Sequence, residues 1–217
     1  VGLCQSYGMT ELSGSVAFLT VADHQRAAQE RHQLLQSVGK PLPTADSKLA
    51  SDPAQASAPD KRGEILIKAD QCMLGYWQQA AETADTLRDG WLHTGDIGRF
   101  DEEGYLYIVD RKKDMIISGG ENIASREVEE VLRRHPAVRD CAVIGLPHPR
   151  WGETPCALVQ LAADTSDTEL DDHCRQWLAA YKTPKHWIRV AALPLNAAGK
   201  VDKPALRRRY AEAPAGQ

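Results

Sequence analysis

Five consecutive charged residues, Asp110-Arg111-Lys112-Lys113-Asp114, interrupt the chain between two short apolar stretches at 105–109 and 115–117. Ionised side chains are almost never fully buried unless paired, so a single hydrophobic core does not run through this segment. A solvated loop satisfies that constraint, and so does a hinge between two domains. The character of the sequence changes at this point, which favours the hinge. The length of 217 residues suits one or two domains.

Before the charged run, turn-forming Gly8 and Gly14 punctuate a small-residue, apolar stretch at 5–20. Residues 22–37 are polar and read as a short exposed helix. Residues 44–60 are rich in Ala, Ser, Asp and Pro and read as a surface loop. A strand is expected at 63–68 and a short helix at 80–87, stopped by Asp89-Gly90. A hairpin is expected from 97–100 to 105–109 across Asp101-Glu102-Glu103-Gly104.

After the run, 115–117 reads as a strand entering Ser118-Gly119-Gly120. Ser125 is placed to cap a helix with Val128, Val131 and Leu132 on one face, ended by Pro136. Residues 141–146 and 156–161 are continuous apolar runs and read as strands. Ser166 and Glu169 form a capping box. The helix they open carries Leu170, Cys174, Trp177, Leu178 and Tyr181 on one stripe. A strand at 188–193 and a short basic helix at 204–212 complete the pattern. The fold class is α+β: a β-rich part, then a small part with strands and helices interleaved around one sheet.

Several classes are excluded. Lys and Arg number 26 against 30 Asp and Glu, a net charge of −4, which argues against a general nucleic-acid binder. No apolar run approaches the roughly 18 residues of a membrane helix. The five cysteines, Cys4, Cys72, Cys141, Cys156 and Cys174, are odd in number and include no CxxC pair. They point to free thiols in a reducing, cytoplasmic setting rather than to a disulfide framework or zinc site. The start at Val1, with neither initiator Met nor signal-peptide pattern, suggests a piece of a longer protein.

Four short segments carry chemistry. Tyr7-Gly8-Met9-Thr10-Glu11 places a ring able to stack on a base beside a hydroxyl and a carboxylate, hard ligands suited to Mg²⁺ and phosphate; a polar turn is the plain alternative. In Thr94-Gly95-Asp96 a carboxylate just past a glycine is suited to ribose hydroxyls, or to capping a turn. Ser118-Gly119-Gly120 offers bare backbone for close approach of a ligand, or simply a turn. Asn196-Ala197-Ala198-Gly199-Lys200 is a small, flexible loop whose lysine is able to neutralise charge developing on a phosphate. A solvated basic tail is the alternative there, and Lys203 is assigned to that tail.

Taken together, YGMTE at 7–11, GWLHTGDIG at 90–98, GYLYIVDRKKDMIISGGENI at 104–123, VEEVLRRHPAV at 128–138, IGLPHPRWGE at 144–153 and LPLNAAGKVDK at 193–203 resemble the carboxy-terminal part of the adenylate-forming, AMP-binding enzymes. That superfamily includes acyl- and aryl-CoA synthetases, firefly luciferase and the adenylation domains of peptide synthetases. SGGENI, PRWGE and YKTPK are most similar to CoA ligases of fatty or aromatic acids. The resemblance implies two half-reactions. A carboxylic acid and ATP give acyl-AMP and pyrophosphate, and a thiol, usually that of CoA, then displaces AMP.

The resemblance also implies a domain plan, with 1–110 the β-rich end of a large AMP-binding domain and 111–217 a small mobile domain that rotates between the steps. It places Tyr7 on adenine, Thr10 and Glu11 at phosphate and Mg²⁺, and Asp96 and Arg111 on the ribose. It makes Lys113 the hinge. It puts Gly119 and Gly120 along the pantetheine tunnel, Trp151 and Tyr181 against CoA, and Lys200 at the adenylation step. Residues 1–217 contain no Gly/Ser/Thr-rich phosphate loop ending in lysine. A missing amino-terminal region is therefore the expected partner, and the isolated chain is expected to be inactive. Loading of a carrier-protein thiol and a non-catalytic fragment are the alternatives. The aromatic pair and the basic surface near Lys182 and Lys185 favour CoA.

Overall fold

In the computed structural model, which describes residues 2–50 and 61–211, the contacts separate into two units, Val1–Lys112 and Lys113–Gln217. The division falls inside the charged run.

In the first unit, β1 (Gln5–Met9) passes through a 3-10 turn at Thr10–Leu12 into β2 (Gly14–Leu19). Thr20 and Asp23 then form a capping box that starts α1 (Val21–Gln29). The helix expected over 22–37 is broken here. A separate 3-10 turn, His32–Gln36, follows. The break turns Leu34 inward, where it is fully buried with Leu19, Ala27, Tyr105 and Tyr107. It also sets Arg31 against Asp101 at 3.1 Å. The short β3 (Lys40–Pro41) completes a sheet in the order β1-β2-β3.

The second sheet of this unit begins with β4 (Asp46–Leu49), which corrects the expected surface loop over 44–60. Its partner β5 (Gly63–Lys68) is buried over nearly its whole length. An apolar strand of that kind needs a ladder on both sides, and the segment Asp46–Leu49 supplies one. The remainder of the expected loop, residues 51–60, lies outside the described residues. Then come α2 (Ala80–Thr86), β6 (Leu87–Arg88), β7 (Trp91–Phe100) and β8 (Leu106–Arg111). The order is β4-β5-β7-β6, with β8 also on β7, and every pair is antiparallel. Leu12, Val16, Ile65, Ile67, Leu92 and Leu106 form the core. On β7 every second residue faces inward: Leu92, then the polar Thr94 and Asp96.

The second unit contains β9 (Ile116–Ser118), β10 (Glu121–Ile123), α3 (Ser125–Leu132), β11 (Val138–His148), β12 (Gly152–Leu161), α4 (Asp167–Arg175), β13 (His186–Arg189) and α5 (Lys203–Tyr210). The sheet runs β10-β9-β12-β11, and β13 joins β12 in parallel. The continuous apolar runs have a simple cause. Both faces of β11 and β12 are covered. Cys141, Val143, Ala157 and Val159 pack with Val128, Leu132, Leu170 and Cys174 of the helices α3 and α4. Ala142, Ile144, Cys156 and Leu158 pack with Leu193 and with Leu206 of α5.

Three local expectations are corrected here. Ser125 does not cap α3. Ala124 occupies the cap without a side-chain bond, and Ser125 is buried in the first turn. Trp177 and Tyr181 leave the apolar stripe, because the helix ends at Arg175 and only Leu170, Cys174 and Leu178 are buried. The strand expected at 188–193 lies earlier, where His186–Arg189 finds its ladder on Cys156–Val159. The Ser166–Glu169 capping box is formed.

All five cysteines are free. Burial pushes the thiols of Cys141, Cys156 and Cys174 up to about 12, so they stay protonated at neutral pH. Among the described residues no helix is long and apolar enough to cross a membrane, and no group of three His, Cys, Asp or Glu side chains is arranged to hold a metal ion.

Leu158, on β12 in the sheet of the second unit, is completely buried. Leu158→Ala leaves a cavity there and is expected to cost about 2–5 kcal/mol. A fall in the urea unfolding midpoint at constant m-value checks this, and an unchanged midpoint contradicts the two-faced packing.

Candidate functional site

Asp96 is the focus of the first unit. Its inward position on β7 buries the carboxylate, and the fold brings two donors to it from distant parts of the chain. The Tyr7 hydroxyl, on β1, donates to Oδ2 at 2.7 Å. The Arg111 guanidinium, at the end of β8, lies 3.2 Å from Oδ1. Register explains the second contact, since Asp96 and Arg111 are direct partners in the β7–β8 ladder. Burial, and then the adjoining Asp96 charge, hold the Tyr7 phenol well above its ordinary value of 10. Tyr7 therefore stays a donor. A carboxylate offers about four acceptor positions, so Asp96 retains capacity for hydroxyls of a ligand while it holds both residues.

Glu64 is the residue that sequence reasoning missed. It is a single carboxylate inside the apolar strand β5, with no motif around it. Oε1 accepts from the Gly95 backbone N–H at 3.1 Å, Oε2 accepts from Lys112 Nζ at 3.0 Å, and His93 Nδ1 lies 3.2 Å from Oε2. Gly95 has a φ of +71°, a value that favours glycine, and this presents its N–H to Glu64. Glu64 thereby connects the Thr94-Gly95-Asp96 segment to Lys112, where the first unit ends. Burial raises the Glu64 carboxyl, but Lys112 and His93 outweigh it and hold the group below the ordinary 4.5.

Thr10 is exposed, and Glu11 stands half-buried in the same 3-10 turn. Tyr76, also not anticipated, donates its hydroxyl to Glu11 Oε1 at 2.7 Å. The Glu11 backbone carbonyl accepts from Met73 N–H. One carboxylate oxygen is thus oriented. Magnesium usually takes one or two protein carboxylates together with phosphate oxygens and water, and Glu11 fits that role.

In the second unit, Gly119 and Gly120 form the tight turn between β9 and β10, with φ values of +60° and +89°. The Gly119 N–H donates to the Trp151 carbonyl at 2.8 Å. A Cβ at Gly119 would lie 2.9 Å from Trp151 Cε3, so the indole rests directly on the bare backbone. The Arg150 guanidinium sits 4.5 Å from the centre of the same ring. Trp151 remains 44% exposed, leaving ring surface for a ligand. Tyr181 is exposed but does not join this cluster. The Lys182 ammonium lies 5.8 Å from its ring centre and in turn pairs with Glu127.

Lys200 is exposed. Its loop carries hydrogen bonds of its own. Asn196 Oδ1 accepts from the N–H groups of Ala198 and Lys200 at 2.9 and 3.1 Å, the Asn196 N–H donates to the Lys200 carbonyl at 2.7 Å, and Leu195 bridges Val201. The side chain is exposed while its backbone is bonded to Asn196. Lys203 corrects its assignment to a solvated tail more sharply: its ammonium lies 2.7 Å from Glu129 Oε1 and its side chain is 13% exposed. A basic run in the sequence gives no sign of which lysine turns inward. Lys113, exposed in the 3-10 turn Lys112–Asp114, is the first residue of the second unit.

Because its folded value is lowered, Glu64 contributes stability that is complete above pH 4.5 and is lost as the pH falls through that lowered value. Glu64→Gln is therefore expected to flatten the acid limb of the stability profile below pH 4.5. Urea midpoints across the acid range test this, and an equally steep or steeper limb in the variant contradicts it.

Comparison with known proteins places these features in a family. Residues 1–77 match the AMP-binding enzyme model and residues 127–200 match the AMP-binding enzyme C-terminal domain. A 2-succinylbenzoate–CoA ligase of Bacillus mycoides (strain KBAB4) is 40% identical over 94% of the chain, and a feruloyl-CoA synthase of Amycolatopsis sp is 43% identical over 95%. The chain spans 41% of the length of each. The o-succinylbenzoate CoA synthetase of Bacillus subtilis, solved with its acyl-adenylate intermediate, aligns with a TM-score of 0.83 and 38% identity, covering 99% of this chain and 42% of that one. The same enzyme solved with ATP and magnesium aligns with a TM-score of 0.80 and 38% identity, covering 95% of this chain and 40% of that one. The chain belongs to the adenylate-forming (AMP-binding) enzyme superfamily, and it corresponds to the carboxy-terminal portion of its acyl-CoA synthetase-like members.

Proposed function

We propose that the chain serves in an acid–thiol ligase that activates a carboxylic acid with ATP and transfers the acyl group to CoA. The activity is that of the longer protein, not of residues 1–217 alone. The observation that carries the reading is the buried Asp96 carboxylate, held by Tyr7 on one oxygen and Arg111 on the other. In the first half-reaction a substrate carboxylate oxygen attacks the α-phosphorus of ATP, the bond to pyrophosphate breaks, and acyl-AMP forms. In the second, the CoA thiolate attacks the acyl carbon and AMP leaves.

Each residue then has a role that its chemistry suits. Tyr7 offers its ring to adenine, while Asp96 and Arg111 hold the ribose. Thr10 faces the phosphates, and Glu11 would hold Mg²⁺, which when bound offsets phosphate charge. Lys200 brings an ammonium, a compact point charge with rotatable donors, to the oxygens between carboxylate and α-phosphate. Gly119 and Gly120 present bare backbone to the pantetheine arm, and Trp151 and Tyr181 offer exposed rings to the rest of CoA. Lys113 is the pivot between residues 1–110 and the mobile part, 111–217. Three buried, protonated cysteine thiols support a reducing, cytoplasmic setting.

Two measurements on the full-length protein test the reading. Lys200→Ala removes a charge needed only while acyl-AMP forms. It is expected to slow that half-reaction by about 10²–10³-fold, roughly 2.7–4 kcal/mol, and to leave conversion of supplied acyl-AMP to acyl-CoA nearly unchanged. Equal losses in both steps by single-turnover kinetics would point to a structural role. Lys113→Pro fixes φ at the pivot and removes an N–H. One half-reaction is expected to survive and the other to fall sharply; if neither changes, the hinge is elsewhere.

A further inference from the structure

We infer that Lys203 is a positioning residue for Lys200, acting through a buried anchor on Glu129 and Ser125; the inference rests on the adenylation role given to Lys200 above. The Lys203 ammonium lies 2.7 Å from Glu129 Oε1 and donates to Ser125 Oγ at 2.7 Å. Both ions are nearly out of solvent, with 13% and 9% of their side chains exposed. Glu129 Oε1 also accepts from the Val143 N–H of β11 at 2.9 Å, and Oε2 lies 3.6 Å from Arg133. The anchor therefore joins the start of α5 to α3 and to β11, the strand that ends the sheet on that side.

The chain between Lys203 and Lys200 has little freedom. Asp202 caps α5 by accepting from the Ala205 N–H at 2.9 Å, and its own N–H donates to the Pro194 carbonyl at 2.8 Å. Val201 bridges Leu195, and Asn196 holds the Lys200 backbone from the other side of the turn. The turn keeps its shape by its own bonds. Its place on the sheet depends on where α5 begins, and Lys203 is the first residue of that helix. A further pair, Arg207 to Asp114 at 3.0 Å, fixes the same helix one turn later.

Burying an ion pair is a poor route to stability, since apolar residues of similar size do as well or better. What a directional pair gives is registry. An error of about 1 Å in placing a charge stabiliser is enough to cost on the order of a hundredfold in rate. The geometry assigns that registry to the Glu129–Lys203 pair.

The test is single-turnover kinetics of each half-reaction in the full-length protein. Lys203→Met alone strands the Glu129 charge and is expected to destabilise the fold. The informative variant is the double change Lys203→Met with Glu129→Gln, which removes both charges and keeps an acceptor for Val143 N–H. Its urea midpoint is expected near that of the parent. Acyl-AMP formation is expected to fall at least about tenfold in kcat, with KM for ATP and for the acid held and the thioester step from supplied acyl-AMP unchanged. Lys203→Arg keeps the ion pair while displacing its donors. It is expected to show the same bias at smaller amplitude, and it decides the matter if the double variant does not fold. Full adenylation activity in these variants, or equal losses in both half-reactions, would overturn the proposal. Lys200→Ala is run alongside. If it leaves acyl-AMP formation intact, the role given to Lys200 fails and the positioning claim fails with it; if only the Lys203 variants are silent, the role of Lys200 stands and the anchor alone is rejected.

Discussion

A carboxylate at an inward position of a strand has to be met by donors, because a buried charge without partners is far too costly to keep. Asp96 imposes that demand on the first unit. Tyr7 comes from β1 to one oxygen and Arg111 from the end of β8 to the other. Meeting the demand ties the first strand of the chain to the last strand of the unit and delivers an aromatic ring, a carboxylate and a guanidinium to one place. Glu129 imposes the same demand on the second unit, where Val143, Lys203 and Arg133 answer it. In both units an inward acid organises parts of the chain that are far apart in sequence.

The two lysines of the GKVDK segment show how burial separates groups that look alike. Lys200 and Lys203 are three residues apart, and both belong to a basic stretch. The turn built by Asn196 leaves one ammonium in water. The start of α5 carries the other into the gap between α3 and β11. A free ammonium on a fixed backbone is suited to engaging a ligand, whereas an enclosed one that is already paired is suited to holding a helix in place. The chemistry of the side chain is the same in both, and its surroundings decide its use.

The division between Lys112 and Lys113 gains meaning from the contacts just before it. Lys112 leans on Glu64, which also receives the Gly95 N–H beside Asp96. The Lys112 side chain is 60% exposed and that of Glu64 9%, so the pair is open to solvent on the lysine side only.

Much of this was legible in the sequence alone. The charged run contains the point at which the contacts divide. The hairpin across Asp101 to Gly104, the apolar strands β11 and β12 and the Ser166–Glu169 cap all follow from local rules of periodicity and turn chemistry. The family motifs singled out Tyr7, Asp96, Arg111, Gly119 and Lys200. What local rules do not contain is which distant groups meet. Glu64 reads as an oddity in an apolar strand until Gly95 and Lys112 arrive beside it. The polar stretch Asp46–Leu49 becomes a strand only because β5 needs a ladder on that side. Trp177 and Tyr181 have the spacing of a core stripe, but the helix ends first. Ser125 has the type of a cap and Lys203 the setting of a tail, yet they meet each other at 2.7 Å. Pattern and spacing are properties of neighbours along the chain, so the sequence by itself determined most of the elements and which residues carry the family motifs. The partners of buried polar groups are chosen by packing between residues tens of positions apart, so only the tertiary structure decided them.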